Sequence, residues 1–315
     1  MVGISGSIII PVHNEADILN HNILTLQSFL CSSLDEYEII LVENGSTDST
    51  PQITQELTRK IKGIKAINLP NTSLGYAIKQ GVKKAIHNKV VYYPIDLSIN
   101  LEYIPESIKM LDKYDVVIGS KRHREGKDKR SIQRIVTSIG FHWLVKRLFS
   151  TELSDTTCVK AYRKSVIIEL LDLIPSESNV FETELMMEAQ KMGLHIMEIP
   201  VTVTDNRPSR QPLRYKIQLK LRDLLSVRID KISLYLGAPL LILGFIGLTW
   251  LSMEKILWRH GGFINPYSFL LSMLFIISGF QIVAFGFLAN LVLQLRREVT
   301  KNQYNLDEIR NTLVD

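Results

Sequence analysis

The sequence has few of the residues that cross-link small proteins or hold structural metals. Only two cysteines, Cys31 and Cys158, occur in 315 residues, and they lie far apart. This excludes a disulfide framework and a cysteine-ligated metal site, so we expect reduced thiols in the cytoplasm. The first residues also lack a basic region followed by a long apolar run, which predicts the absence of a secretory signal. Internal repeats and low-complexity segments are missing as well.

The excess of positive charge is modest and unevenly placed. The formal net charge is +5, but the basic residues concentrate in two segments. Residues 120–134 hold seven Lys or Arg against two Asp or Glu, and residues 207–231 hold eight against two. Clusters like these, in a chain with long apolar segments, favour a membrane surface and phosphate groups as partners, and we expect no nucleic acid.

Strand-like and helix-like segments alternate along the first 212 residues. Short apolar runs at 7–12, 37–42, 64–69 and 90–94 are each followed by apolar residues at helical spacing. Further strands are predicted at 115–119, 157–163 and 195–203, and residues 120–134 are predicted to form a mobile loop before an amphipathic helix at 132–149. The alternation predicts an α/β domain, residues 1–212, with a Rossmann-like, mostly parallel sheet.

Residues 90–100 form an apolar, β-branched and aromatic run that contains one carboxylate, Asp96. Such a run predicts a buried central strand. Open α/β sheets bind ligands at the carboxyl ends of their strands, where this strand would deliver Asp96. Asp96 is therefore the first candidate for chemistry.

Two segments near the C-terminus are long and apolar enough to cross a bilayer. Residues 232–253 contain no charge and residues 261–295 contain none either, and roughly 20 apolar residues suffice to span a membrane. Residues 213–231 before them repeat apolar side chains on one helical face. This predicts an interfacial amphipathic helix, with a packed surface helix as the alternative.

The charges beside the two predicted spans indicate an orientation. Arg228 and Lys231 precede the first span, and Arg296, Arg297 and Lys301 follow the second. Positive-inside bias therefore places both termini, the α/β domain and the tail at 296–315 in the cytoplasm. Glycines at 237, 244, 247, 279 and 286 in the spans are typical of close helix packing, and we treat a homo-oligomer as one explanation of them.

Several short motifs occur in order along nearly the whole chain. They are Pro11-x-x-Asn14-Glu15, Glu43-Asn44-Gly45-Ser46-Thr47-Asp48, Asp96-Leu97-Ser98, Gly119-Ser120-Lys121-Arg122, Asp155-Thr156-Thr157-Cys158, Lys160-Ala161-Tyr162-Arg163, Glu184-Leu185 and Glu198-Ile199-Pro200-Val201. With two C-terminal spans, this series resembles GT-A fold glycosyltransferases of family 2, of the dolichyl-phosphate mannose and glucose synthase type. The resemblance implies a membrane-bound inverting enzyme that transfers one sugar from a UDP- or GDP-linked donor to a polyprenyl phosphate.

The resemblance also implies a nucleotide-sugar site at the ends of the first two strands and of the fourth. Its residues in this sequence are Pro11, His13, Glu15, Val42, Asn44, Ile95 and Asp96. Side-chain and backbone groups at neighbouring strand ends suit hydrogen bonding to a flat polar base. An ordinary turn is the alternative explanation for Asn44-Gly45-Ser46.

The metal site that the resemblance implies departs from the family pattern. The family has Asp-x-Asp followed by an amide ligand, whereas this chain has Pro94-Ile95-Asp96-Leu97-Ser98. A Mg²⁺ or Mn²⁺ ion would be held by Asp96 and Ser98, since hard cations prefer oxygen ligands. Pro94 offers no ligand, so we expect a weaker or differently coordinated metal.

The acceptor phosphate requires cationic side chains, and the family positions that contact it correspond to basic residues here. They are Lys121, Arg122, Arg134, Ser138, Arg207 and Arg210, among which Arg134 and Arg207 join Asp96 as the candidate catalytic residues. Arginine forks match phosphate oxygens in geometry. A solvated surface charge is the alternative for each.

Two other functions remain compatible with the sequence. A processive polysaccharide synthase shares the fold, but the chain has no Gln-x-x-Arg-Trp run and only two predicted spans. A non-catalytic membrane subunit would explain Pro94 in place of a carboxylate.

Overall fold

The computed structural model describes residues 3–70, 73–149, 151–174, 180–204, 214–215, 217–219, 221–222, 229–258 and 266–314. The chain divides into two compact units, Met1–Lys220 and Leu221–Asp315. The predicted domain end at residue 212 falls outside the described residues and stays a prediction. Most of the predicted interfacial segment 213–231 also lies outside them, although its described residues are helical.

The first unit alternates strands and helices along the chain. Its strands are β1 Ser5–Val12, β2 Glu36–Asn44, β3 Ile64–Leu69, β4 Lys89–Tyr92, β5 Val116–Ser120, β6 Lys127–Asp128, β7 Lys160–Arg163, β8 Ile196–Pro200 and β9 Thr202–Val203. Its helices are α1 Leu19–Ser33, α2 Thr50–Lys60, α3 Leu74–Lys84, α4 Tyr103–Met110, α5 Ile132–Phe149, α6 Lys164–Leu173 and α7 Phe181–Lys191. The predicted α/β class is confirmed.

Seven strands form one sheet in the order β3-β2-β1-β4-β7-β5-β8. All its pairings are parallel except those of β7, which runs antiparallel to both β4 and β5. The predicted mostly parallel sheet is therefore confirmed, with β4 at its centre. Because β4 ends at Tyr92, Asp96 lies in the loop after the strand and not on the strand itself.

Side chains alternate between two apolar layers along the strands. In β1, Ile8 and Ile10 pack into one layer with α1, whereas Ile9 packs into the other with α3. This alternation is the two-residue period of a strand covered on both faces. Gly81 lets α3 approach β1 closely, because a Cβ there would lie 2.5 Å from Ile9 Cγ2.

Several predicted element boundaries differ from the observed ones. The predicted strand 157–163 is shorter and begins at Lys160, and the predicted strand 195–203 is two strands, β8 and β9. The basic segment predicted as a loop contains β6, which pairs in parallel with β9. Pro200 ends β8 in both backbone directions, because proline offers no N–H to a continuing ladder.

The second unit contains two long helices, α8 Ile229–Trp258 and α9 Pro266–Val314. Segments of 29 and 30 residues within them, Ile229–Leu257 and Pro266–Leu295, are long and apolar enough to cross a membrane. Both predicted spans thus correspond to helices. The polar tail predicted as a separate short helix continues α9 without a break.

Small residues bring α8 and α9 together. A Cβ on Gly244 would lie 2.7 Å from the Ser272 carbonyl oxygen, and a Cβ on Gly279 would lie 2.8 Å from the Gly237 carbonyl oxygen. Only glycine permits such close backbone approach. The glycine pattern is therefore explained by packing within one chain, and the homo-oligomer stays an untested prediction.

Candidate active site

The carboxyl ends of β1 and β2 are joined by polar contacts. His13 follows β1, and its Nδ1 donates to the carbonyl oxygen of Asn44, the last residue of β2, at 2.9 Å. Its Nε2 accepts from Asn14 Nδ2 at 3.2 Å. Both imidazole nitrogens therefore hold the two strand ends together.

The turn after β2 is held by the turn after β1. Asn14 adopts a left-handed backbone conformation with φ of 54°, and its Oδ1 accepts from the Thr47 backbone at 2.8 Å. The Asn14 N–H donates to Ser46 Oγ at 2.9 Å. Asparagine tolerates this conformation better than most residues. The motif Asn44-Gly45-Ser46 is thus an ordered part of the strand edge.

The predicted nucleotide-sugar residues at this edge differ in what they present. Pro11 and Glu15 are half-buried, whereas Val42 is fully buried and Asn44 is 4% exposed. The side chain of Asn44 accepts from the Ser73 N–H at 2.9 Å, which ties β2 to the start of α3. Val42 and Asn44 therefore offer a bound base at most their backbone groups.

The loop that carries Asp96 is anchored on two sides. The Tyr93 N–H donates to the Ile9 carbonyl oxygen at 3.0 Å, and the Tyr93 hydroxyl donates to the Ile99 carbonyl oxygen. On the other side, the Thr204 N–H donates to the Ser98 carbonyl oxygen at 2.8 Å. Tyr93 is fully buried, so this aromatic side chain acts as a post beneath the loop.

Within this loop, Asp96 stabilises its own turn. Its Oδ1 accepts from the Ser98 N–H at 3.0 Å, and Leu97 between them has φ of 48°. The side chain of Ile95 is buried, and its carbonyl oxygen accepts from Asn22 Nδ2 at 2.8 Å. Asp96 and Ser98 remain half-buried, and both side chains line a cleft.

This cleft has a volume of about 300 Å³ and contains both signs of charge. Asp96 and Glu182 are its acidic lining residues, and Lys121, Arg130 and Arg134 are its basic ones. The structure therefore brings together three predicted site residues, Asp96, Lys121 and Arg134, from segments that are distant in the sequence.

The two cleft carboxylates influence the same tyrosine. Burial raises the pKa of the Tyr92 hydroxyl well above its ordinary value, and the charges of Glu182 and Asp96 raise the pKa further. Tyr92 therefore stays protonated at any physiological pH and is exposed to both negative charges. This common influence places Glu182 on the same chemical side of the cleft as Asp96.

Glu182 is held in place by a buried lysine. The ammonium of Lys160, a fully buried residue of β7, lies 2.9 Å from Glu182 Oε1 and donates to the Cys158 carbonyl oxygen at 2.6 Å. A buried ammonium requires such partners, because desolvation without them is costly. Lys160 thus fixes Glu182 at the first turn of α7.

Lys121 and Arg122 share a buried carboxylate. Lys121 forms an ion pair with the fully buried Asp155, and Arg122 Nη1 lies 3.6 Å from the same carboxylate oxygen. Burial by itself would raise the pKa of Asp155, but the two cations outweigh it and hold the pKa below its ordinary value. Part of the positive charge of Lys121 is therefore neutralised within the protein.

The remaining predicted phosphate-contacting residues lie on or against α5. Arg134 is half-buried and lines the cleft, whereas Ser138, one turn further, accepts from Arg122 Nη2. Arg130, which the sequence analysis did not select, also lines the cleft and forms a two-pronged contact with Asp128. Arg207 and Arg210 lie outside the described residues.

Sequence reasoning missed Glu182 and Lys160 as site residues. Glu184 was selected by resemblance, yet it is 6% exposed and is not among the residues that line the cleft. The available signal was a lysine at position 160 in an apolar strand, which predicts a buried partner. The identity of that partner, 22 residues later, required the fold.

The oxygen ligands in the cleft fit a divalent cation. Asp96 and Glu182 offer carboxylates, and Ser98 and Thr157 offer hydroxyls. Mg²⁺ is commonly held by one or two carboxylates together with substrate phosphates. Within the described part of the chain, no three His, Cys, Asp or Glu side chains gather as a metal cage. The donors therefore suit a cation that also binds a substrate.

A mostly parallel sheet with one antiparallel strand, and a cleft of carboxylates and cations beyond its central strand, defines a GT-A-like sugar transferase. The sequence profile of glycosyl transferase family 2 matches residues 7–171, which is more than half of the chain. The chain belongs to glycosyl transferase family 2. The predicted family and enzyme class are confirmed.

Three relatives and one solved structure extend the comparison. Glycosyltransferase AglD of Haloferax volcanii is 27% identical over 63% of this chain, which spans only 33% of AglD. The undecaprenyl-phosphate 4-deoxy-4-formamido-L-arabinose transferase of Edwardsiella ictaluri is 27% identical over 93% of this chain and 90% of its own. The dolichyl-phosphate beta-glucosyltransferase of Dictyostelium discoideum is 26% identical over 70% and 73%.

The solved structure supports the fold of the first unit. Glucosyl-3-phosphoglycerate synthase from Mycobacterium tuberculosis, in complex with Mn²⁺, UDP-glucose and phosphoglyceric acid, superposes with a TM-score of 0.52. Its sequence is 19% identical, and the match covers 70% of this chain and 78 to 79% of the synthase in related crystals. At this identity the likeness concerns the fold alone.

Proposed function

We propose that the protein transfers one sugar from a nucleotide sugar to a polyprenyl phosphate, with inversion at the anomeric carbon, at the cytoplasmic face of a membrane. The observation that carries this proposal is the cleft, in which Asp96 and Glu182 oppose Lys121, Arg130 and Arg134. Two relatives that span most of this chain are named for undecaprenyl phosphate and dolichyl phosphate, which supports the acceptor class.

The donor nucleotide would bind along the carboxyl ends of β1, β2 and β4. Pro11, His13, Glu15, Val42, Asn44 and Ile95 are the proposed contacts for the base and ribose. Asp96 and Ser98, joined by Glu182, would hold Mg²⁺ or Mn²⁺ against the diphosphate. A bound cation supplies countercharge to the leaving group, and Glu182 takes the place of the carboxylate that Pro94 does not provide.

The acceptor brings its own nucleophile. A phosphate monoester has a second pKa of about 6, so at neutral pH its oxygen is charged and needs no general base. Its negative charge does need cations, and Arg134 is the proposed main contact, with Lys121, Arg122, Ser138, Arg207 and Arg210 as further ones. An arginine fork binds two phosphate oxygens at once, which also orients the nucleophile.

Catalysis would then depend on placement and charge. The acceptor oxygen attacks the anomeric carbon, the bond from that carbon to the diphosphate oxygen breaks, and the nucleoside diphosphate leaves. Holding both reactants in line contributes most of the rate, and fixed cations beside the two phosphates offset their mutual repulsion. The apolar helices α8 and α9 would keep this reaction at the membrane.

Product analysis tests the proposal directly. The full-length protein in phospholipid vesicles would be incubated with UDP- and GDP-sugars and a polyprenyl phosphate, with Mg²⁺, Mn²⁺ or a chelator. A lipid carrying one sugar supports the proposal. A growing polymer would instead identify a processive synthase, and the absence of turnover with any donor would identify a non-catalytic subunit.

A matched pair of variants tests the carboxylate at the centre of the site. Asp96→Asn should lower turnover on the order of 10²–10³-fold, because a charged contact to the reacting groups is lost. Glu36→Gln changes an exposed carboxylate at the start of β2, at the opposite end of the strands, and should leave turnover unchanged. Equal activity of Asp96→Asn and the wild type would rule out the proposed role.

A further inference from the structure

Helix α5 carries an apolar stripe on its exposed side. Ile132 is 79% exposed, Val136 61%, Ile139 55% and Trp143 67%. At roughly 100° per residue, these four side chains lie within about 60° of one another on one helix face. An exposed apolar stripe of this length, on a helix of 18 residues, indicates an interaction surface.

The opposite face of α5 belongs to the protein interior and the cleft. Val145 is fully buried, Leu148 is 3% exposed and Arg134 lines the cleft. Arg134 lies roughly 170° around the helix from the middle of the stripe, again at about 100° per residue. The stripe is therefore not the side by which α5 packs against its own domain.

We propose that this stripe lies in the headgroup region of a lipid bilayer. The charges around it are those that a membrane surface attracts. Lys146 and Arg147 are exposed and flank the stripe, each about 50° from its middle, and Lys129 is exposed just before the helix begins. Basic residues beside an apolar face with a tryptophan are typical of helices that lie in the membrane interface.

A bilayer fits this surface better than a second copy of the chain. Helix α5 contains no acidic residue, so a symmetric contact between two α5 stripes would place like charges near each other. Tethering by the two candidate spans would keep the domain beside a bilayer at all times. The inference rests in this respect on the membrane attachment proposed above, but not on the acceptor.

Docking would give α5 a second role beyond carrying Arg134. A helix in the interface sits with its apolar face about 5–10 Å into the boundary between headgroups and acyl chains. Arg134, on the other side of the same helix, would then be held at a fixed height above the lipid phosphates. The stripe would set where along the membrane normal the cleft opens.

Tryptophan fluorescence tests the proposal in the full chain. The protein has three tryptophans, and Trp250→Phe with Trp258→Phe would leave Trp143 as the single emitter. In vesicles that contain anionic lipid, we expect blue-shifted emission, quenching by lipids labelled near the headgroup, and weak quenching by aqueous iodide. Val136→Cys carrying a polarity-sensitive dye, with Cys31→Ser, provides a second probe if the tryptophan variant is unstable.

A control variant moves the emitter to an equally exposed site. Ile86 is 66% exposed at the other end of the sheet, between α3 and β4, so Ile86→Trp with Trp143→Leu should respond to iodide and not to labelled lipid. Iodide quenching of Trp143 equal to this control would overturn the proposal. Protection of Trp143 from both quenchers would overturn it too, because protein would then cover the stripe.

The same samples separate this inference from the proposed function. If the protein leaves the vesicles at alkaline pH, the membrane attachment itself fails. If it floats with the vesicles while Trp143 stays accessible to iodide, only the docking of α5 fails.

Discussion

Arg122 Nη2 donates to both the carbonyl oxygen and the hydroxyl of Ser138, at 2.6 Å in each case. The contact ties the segment after β5 to the second turn of α5. Because Arg122 Nη1 also donates to the Ser154 carbonyl oxygen at 3.2 Å, one guanidinium joins three segments beside the cleft.

Shortening this connection should weaken the fold locally and the site with it. Ser138→Ala removes one charge-assisted hydrogen bond and should lower the free energy of unfolding by about 1 kcal/mol. Arg122→Lys keeps the charge but cannot reproduce the fork, so its loss should be larger. Thermal unfolding of both variants checks the order, and an Arg122→Lys protein as stable as the wild type would contradict it.

The buried pair at the cleft predicts a strong asymmetry. Lys160→Met leaves Glu182 without its cation and should cost about 3–5 kcal/mol of stability. Combining Lys160→Met with Glu182→Gln should recover part of that loss, because no lone charge then remains. The measurement is chemical denaturation of the three proteins.

A surface pair on the same helix provides the control. Lys191 and Glu188 of α7 are 2.5 Å apart, and the Lys191 side chain is 66% exposed. Lys191→Met should therefore change stability by at most about 1 kcal/mol. A loss for Lys191→Met as large as that for Lys160→Met would remove burial as the cause.

Sequence patterns predicted the centre of the fold well and its closure poorly. The apolar run at Val90 and Val91 identified β4, because a strand buried on both faces must be apolar throughout. Strand β7 was placed approximately, but its antiparallel direction was not predicted. Direction depends on contacts with β4 and β5, which precede β7 by about 40 residues or more, and local pattern does not report them.

The site divides in the same way. Asp96 was found because it follows a strongly apolar strand, and Arg134 because resemblance and helical spacing both selected it. Glu182 was missed because its role comes from Lys160, a partner on another element. Motif order finds residues that are near a strand end, whereas charges that meet across a cleft are known only from the fold.

Acidification should destabilise the protein in part through His142 on α5. Burial lowers the pKa of this imidazole, and the charge of Arg122 lowers the pKa further. The unfolded chain then binds more protons than the folded one as pH falls below about 6.5, so stability is complete above that pH and is lost below it. Unfolding measured from pH 7.5 to 5.5 should show a smaller slope for His142→Asn, whereas His21→Asn on the exposed side of α1 should keep the wild-type slope.

Two glycines should respond in opposite directions to the same substitution. Gly81→Ala places a methyl group 2.5 Å from Ile9 Cγ2 in a filled layer and should cost about 1–3 kcal/mol. Gly140→Ala meets nothing within 4 Å in the middle of α5 and should stabilise the helix by up to about 1 kcal/mol. Thermal unfolding of the two variants checks the signs, and a stabilising Gly81→Ala would contradict the packing of α3 on β1.

The cysteines can report which side of the membrane the first unit faces. Cys31 is exposed, whereas burial raises the pKa of the Cys158 thiol to about 11, which leaves it protonated and unreactive. If the proposed orientation is right, an impermeant maleimide should label inside-out vesicles and not right-side-out ones. Cys31→Ser should abolish the labelling, and labelling of right-side-out vesicles would reverse the orientation.

The position of β7 also constrains how the chain can fold during synthesis. Strands β1 to β4 can pair as soon as residue 92 has been made, but β5 has no neighbour in the sheet until β7 arrives at residues 160–163. Until then Val90, Val91 and Val116 to Ile118 lie on open strand edges, which are sites of misassembly. A nascent chain therefore passes through a stage of about 40 residues in which the sheet is split, and a fragment ending within it would be prone to aggregate.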